Sequence, residues 1–196
     1  MGMGRAEMIF RLRIEQELAN RELERRCAAD PLFWMQNGTR TRDDHYRDKG
    51  TLPFDRLPQK PYFPKLFEVL RSGPPRLFIP KSREMLLSWA VIGYAVWLCQ
   101  WHQGTHVIVQ SEKGDKAKDL VSGTDKAGYA RVLWEQQEPY LRLKHPLTRK
   151  SSEMAGDFLT WKNNSLIQAV PGGADQASFC VEAGSEGGSV RRLACF

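Results

Sequence analysis

The chain has 196 residues, 41% of them hydrophobic and 27% charged, enough for one domain with a genuine core plus an appendage. Its longest apolar stretch, residues 86–101, is interrupted by Ser88, Gly93 and Gln100 and falls short of the roughly 20 residues a membrane-spanning helix needs. The first residues, Met-Gly-Met-Gly-Arg-Ala-Glu, lack the apolar core and small-residue cleavage site of a secretory signal, so an intracellular protein without a membrane partner is expected.

The net charge is +6 and sits unevenly. Residues 1–60 carry 12 basic and 10 acidic side chains, residues 61–150 carry 14 and 8, and residues 151–196 carry 3 and 5. The basic middle, with Arg142, Lys144, His145, Arg149 and Lys150, suits a polyanion such as DNA; an ordinary solvated face is the competing reading. Cys27, Cys99, Cys180 and Cys195 are scattered without a CxxC pair, so reduced, unpaired thiols are expected. His102 and His106 stand four apart, but Gln103-Gly104-Thr105 between them reads as a helix end. The two histidines therefore do not share a helical face, and zinc is not expected.

In residues 6–27, Ile9, Leu12, Leu18 and Leu23 recur among dense Arg and Glu, which predicts an exposed amphipathic helix ended by Asp30-Pro31. Residues 31–60 mix Phe33, Trp34, Tyr46 and Phe54 with turn formers and read as an extended arm over a core. A short helix over 62–70 closes at Ser72-Gly73-Pro74-Pro75, and 76–80 (Arg-Leu-Phe-Ile-Pro) read as a buried strand. A loop comes next over 81–87, then an apolar helix over 88–102 and a second buried strand over 105–110. Strand, loop, helix and strand form a βαβ unit and imply a parallel sheet.

Residues 112–137 read as one or two crossover helices broken at Gly123, Gly128 and Pro139. Residues 157–161 and 165–170 read as two strands about an asparagine turn. Residues 177–196, with Gly184, Gly187, Gly188 and two cysteines, show no continuous strand and are expected to be an atypical, disordered tail. The chain thus divides into three units: an N-terminal helix and arm over 1–60, a core over 61–176, and the tail.

The chemistry-bearing segment is Lys81-Ser82-Arg83-Glu84-Met85-Leu86-Leu87-Ser88. A phosphate-cradling loop needs a strand that delivers it to the sheet edge, backbone N–H groups around the phosphates, a cation for the β and γ oxygens, and a hydroxyl for magnesium. Ser88 occupies the hydroxyl position of G-x-x-x-x-G-K-[ST], whereas Leu87, Leu86 and Lys81 occupy those of the lysine and the two glycines. Lys81, Ser82, Arg83 and Ser88 in this register resemble the deviant Walker A of phage terminase large subunits, in which the lysine opens the loop. Its flexible stem can still reach the same phosphates. The departure is Leu86, which puts a Cβ where close backbone approach or a positive φ favours glycine.

Three other stretches share the likeness: Asp30-Pro31-Leu32-Phe33-Trp34 with Thr39, Thr41 and Pro53-Phe54; 107–113 with Lys116-Ala117; and 164–167 with 171–176. It spans roughly residues 30–176. It implies an α/β P-loop NTPase core (RecA- or helicase-like) with a mostly parallel sheet flanked by helices, incomplete, behind an N-terminal helical arm. It implies ATP and magnesium as cofactors, with Lys81, Ser82, Arg83, Glu84, Met85, Leu86, Leu87 and Ser88 around the phosphates. Arg83 would act as the catalytic cation, Ser88 as the magnesium ligand, and Gln59 or Tyr62 would contact adenine. The implied partners are double-stranded DNA, a small terminase subunit and a portal protein in a bacterial host cytoplasm, with a homo-oligomer possible.

The alternatives remain a solvated basic turn for Lys81 and Arg83, a metal-free helix start for Ser88, and a surface loop residue for Gln59. After Gln176 no apolar strand ends in Asp-Glu, the pair that holds the magnesium shell and orients water in such motors. Glu182 and Glu186 are poor substitutes, since no apolar run leads into either. The sequence thus points to the ATP-binding part of a packaging motor, or, in the competing reading, to a DNA-binding or assembly module without turnover or part of another helicase-like ATPase.

Overall fold

The computed structural model describes residues 5–42, 54–74, 77, 79, 85–111, 113–123, 126–148, 157–171, 179–184 and 191–195, the part from Pro171 onward by its backbone. The first helix, α1 (Arg5–Ala29), spans 25 residues, and within it only Cys27 is buried. Ion pairs one turn apart, such as Arg21–Glu17 at 3.0 Å and Arg25–Glu22 at 2.7 Å, run along its exposed surface, where solvent screening leaves each worth little. The arm, expected to be extended, is helical at its start instead: α2 (Pro31–Phe33) passes into a π-helical turn over Trp34–Gly38. Asp30 causes this, since its carboxylate accepts from the Leu32 amide at 2.9 Å while Pro31 occupies the first helical position. Two short strands, β1 (Thr41–Arg42) and β2 (Phe54–Asp55), then pair antiparallel.

Helix α3 (Tyr62–Ser72) buries Phe63, Phe67 and Leu70 and ends on Gly73, whose φ of 62° lets its amide return to the Leu70 carbonyl. The apolar run becomes α4 (Leu87–Trp101), buried along most of its length at the centre of the core. Among the described residues no helix is long and apolar enough to cross a membrane. The expected crossover helices are α5 (Gly114–Leu120) and α6 (Tyr129–Glu135). Pro139, read as a break, instead opens a further helix, α7 (Pro139–Lys144), because the N–H that proline lacks would have no partner in the helix at that first position anyway.

Four strands join β3 (His106–Ser111) in a sheet: β4 (Phe158–Thr160), β5 (Leu166–Pro171), β6 (Phe179–Gly184) and β7 (Arg191–Cys195), in the order β4-β5-β3-β6-β7. The β4–β5 hairpin forms where the asparagine turn predicts it, with Asn164 at φ 65°. The sheet corrects two expectations. Only β3 and β5 run parallel, with His106 opposite Leu166, and the other three pairings are antiparallel, so the sheet is mixed and not mostly parallel. The tail, expected to lack continuous strands, supplies β6 and β7, consistent with Phe179, Cys180 and Val181 suiting a pleated ladder. The expected strand over 76–80 lies mostly outside the described residues. Leu77 and Ile79, which are described, lie outside any strand and pack partly buried against the core.

Val107, Val109, Leu159, Ile167 and Ala169 alternate along β3, β4 and β5 into the same core as α4. Within it the Gln100 and Gln137 amides bond reciprocally at 2.8 and 2.9 Å, tying α4 to the end of α6. Gln100→Leu leaves the Gln137 amide buried and unpaired, and a urea titration is expected to show a loss of about 1–3 kcal/mol. The double change to leucine recovers most of it. Burial pushes the Cys27 thiol up to about 12 and the Cys99 thiol well above its ordinary value, so both are inert thiols.

Candidate functional site

The described half of the candidate loop is built on the start of α4. Leu86, its N-cap, adopts φ 53° and ψ 18°, the left-handed region, and no side chain caps the helix. The first intrahelical bond runs from the Ala90 amide to the Leu86 carbonyl at 3.0 Å; the amides of Leu87, Ser88 and Trp89 precede it and have no acceptor within the helix. Leu87 is buried, Ser88 is half-buried at the second helical position, and Trp89 is buried with its ring stacked on Tyr129 at 4.0 Å and 4°. Met85 is held from α3, whose Tyr62 hydroxyl donates to the Met85 carbonyl at 2.7 Å. Gln59 is exposed in the segment leading into α3. Lys81, Ser82, Arg83 and Glu84 lie outside the described residues.

The position of α4 is fixed from its other end. Asn163 donates to the Cys99 carbonyl at 2.9 Å and Ser165 Oγ to the His102 carbonyl at 2.8 Å, fastening the helix C-terminus where β3 and β5 begin. Fifteen residues carry the helix start about 21 Å from that anchor. The parallel strands end at Ser111 and Pro171, and α5 starts just beyond β3 with Lys113 and Lys116 exposed. In parallel pairs this carboxyl edge is where phosphate ligands bind.

The basic middle is partly engaged. Arg142 donates to the Glu135 carbonyl at 3.0 Å and Lys144 lies 4.0 Å from Glu24. His145, read as a surface residue, is half-buried, with its ring 4.1 Å from that of Trp101 and its Nε2 buried without a partner. The reason is the turn after α7, whose His145 carbonyl accepts from Trp134 Nε1 at 2.9 Å. Arg149 and Lys150 lie outside the described residues.

Burial lowers the His145 pKa against the opposing pull of Glu24 and the Gln100 backbone, and burial lowers that of His102. The unfolded chain binds these protons from roughly pH 6.5 downward, before the folded chain does. Stability is therefore full above that pH and falls as pH drops below it. Urea titrations at successive pH values are expected to show this slope, and His145→Gln reduces it.

Compared with known proteins, the chain matches no family model and no curated protein. The site thus rests on its geometry. Two contacts escaped the sequence reading: the Tyr62 hydroxyl, on a residue considered for adenine, tethers the loop at Met85, and the buried Trp89 stacks on Tyr129. Both pairs are far apart in sequence, and only the three-dimensional packing of α3, α4 and α6 brings them together.

Proposed function

We propose that this chain is the ATP-binding part of a DNA-packaging motor of the terminase large-subunit type, with a P-loop core. The observation that carries this reading is Leu86, which takes the left-handed backbone conformation at the loop position the consensus gives to glycine. The amides that come after it at the start of α4 suit the oxygens of a triphosphate, and the helix dipole adds to their pull. Lys81 and Arg83 neutralise phosphate charge, Ser88 holds magnesium together with the nucleotide, and Ser82, Glu84, Met85 and Leu87 complete the loop. Bound ATP supplies the energy that the intact motor uses to move double-stranded DNA into a procapsid in the bacterial cytoplasm, beside a small subunit and a portal protein. Lys113, Lys116 and the basic middle suit the DNA backbone. Equilibrium dialysis with a non-hydrolysable ATP analogue tests the reading: magnesium-dependent uptake is expected, and its absence contradicts it.

One observation favours a second reading, a binding or assembly module without turnover. β6 lies beside β3 in the sheet but runs antiparallel to it, with Glu182 opposite Ile108 in mid-strand. A Walker B strand runs parallel and ends in its carboxylates, so β6 does not supply them. Nucleotide affinity separates the two: Lys81→Ala weakens binding of an ATP analogue if the chain is the ATP-binding part of a motor, and leaves the module unaffected.

A further inference from the structure

Among the described residues the large exposed apolar side chains are Met8, Ile9, Phe10, Leu12, Ile14 and Leu18, all on α1 and 44–63% exposed, and Leu143 on α7, 81% exposed. Where α1 meets α7, an open groove of about 400 Å³ is lined by Gln16, Ala19 and Leu23 on one side and Pro139 and Tyr140 on the other. Tyr140 fixes its wall by donating to Glu24 at 2.7 Å. The stripe that lines the groove runs on into the exposed half of the helix. Ile9, Leu12, Gln16, Ala19 and Leu23 succeed one another three and four residues apart, the spacing of a coiled-coil seam. A helical segment of about fifteen residues standing in water is marginal by itself, and here it presents an apolar seam.

Charge identifies the occupant. Residues 5–14 of α1 hold Arg5, Arg11 and Arg13 against Glu7, a net +2, and residues 15–29 hold Glu15, Glu17, Glu22 and Glu24 against Arg21, Arg25 and Arg26, a net −1. Parallel copies set like charge on like, whereas antiparallel copies set the basic half of each on the acidic half of the other. We propose that α1 pairs antiparallel with α1 of a second copy of this chain, Ile9 of each seated over Leu23 and Leu12 over Ala19 in the groove of the other. The arrangement is isologous, so both grooves fill at once. Phe10, Ile14 and Leu18 lie on another side of the helix and outside the pair. The pairing does not depend on nucleotide.

Sedimentation equilibrium of the full chain tests this. A dimer that weakens as salt rises is expected, and Leu12→Glu, which changes both copies, raises its Kd about a hundredfold or more. Ile14→Glu, outside the seam, leaves it nearly unchanged. Circular dichroism of both variants remains that of the parent, because neither side chain is in the core. Oxidation of mixed Ile9→Cys and Leu23→Cys chains links them across copies, beyond the level seen without the added thiols. A monomer at every attainable concentration, a dimer indifferent to Leu12→Glu or equally broken by Ile14→Glu, or linkage of Ile9→Cys chains to each other in preference overturns the proposal.

Discussion

Alanine at Gly123 is expected to cost the fold about 3 kcal/mol or more and to lower its melting temperature by roughly 6–12 °C. Gly123 has φ 82°, and a Cβ there would meet the Lys126 carbonyl oxygen at 1.9 Å and the Gly128 amide nitrogen at 2.5 Å. Both obstacles are backbone and cannot swing away as a side chain could. Gly128 returns the constraint, since a Cβ on it would lie 2.6 Å from the Gly123 nitrogen and the Val121 carbonyl oxygen. The two glycines cross in the turn that joins α5 to α6, so neither accepts a side chain. The turn also places Tyr129 under Trp89 at the start of α4, so the variant is expected to loosen the candidate loop as well. A thermal melt checks the first effect. A melting temperature within a degree or two of the parent's contradicts it.

Lys81→Ala is expected to weaken binding of an ATP analogue at least about tenfold, the loss of one charge-assisted contact to phosphate. Leu86→Gly works in the opposite direction. A non-glycine residue in the left-handed region costs about 1–2 kcal/mol, and glycine removes that strain together with the Cβ beside the phosphates. Part of the gain is offset, because Leu86 also packs against the core and glycine loses more backbone freedom on folding. Affinity is expected to rise while stability changes little. Isothermal titration of the two variants beside the parent checks both directions, and an unchanged affinity for Lys81→Ala contradicts the role of its ammonium.

Much of the helical skeleton was legible from residue patterns. The apolar run that became α4, the β-branched run that became β3 and the Asn163-Asn164 turn between β4 and β5 each state their structure locally. Strand direction was not. A βαβ reading of 76–110 implied parallel neighbours, but β3 gained its second neighbour from residues 179–184, and nothing in those residues says which way they run. The arm was misread because Trp34 and Phe33 dominate its composition, while the short Asp30-Pro31 cap that turns it helical is only two residues long. At the site, the register from Lys81 to Ser88 located the start of α4 and singled out Leu86 as the departure. The positive φ of that residue is a property of the folded turn, and the Tyr62 tether spans 23 residues.

Amide hydrogen exchange along Met85–Trp89, with and without a non-hydrolysable ATP analogue and magnesium, tests most directly whether this turn receives phosphate. Slowed exchange at Leu87, Ser88 and Trp89, stronger with magnesium and absent in Lys81→Ala, is the expected result. Unchanged exchange at these amides under saturating analogue contradicts the nucleotide site.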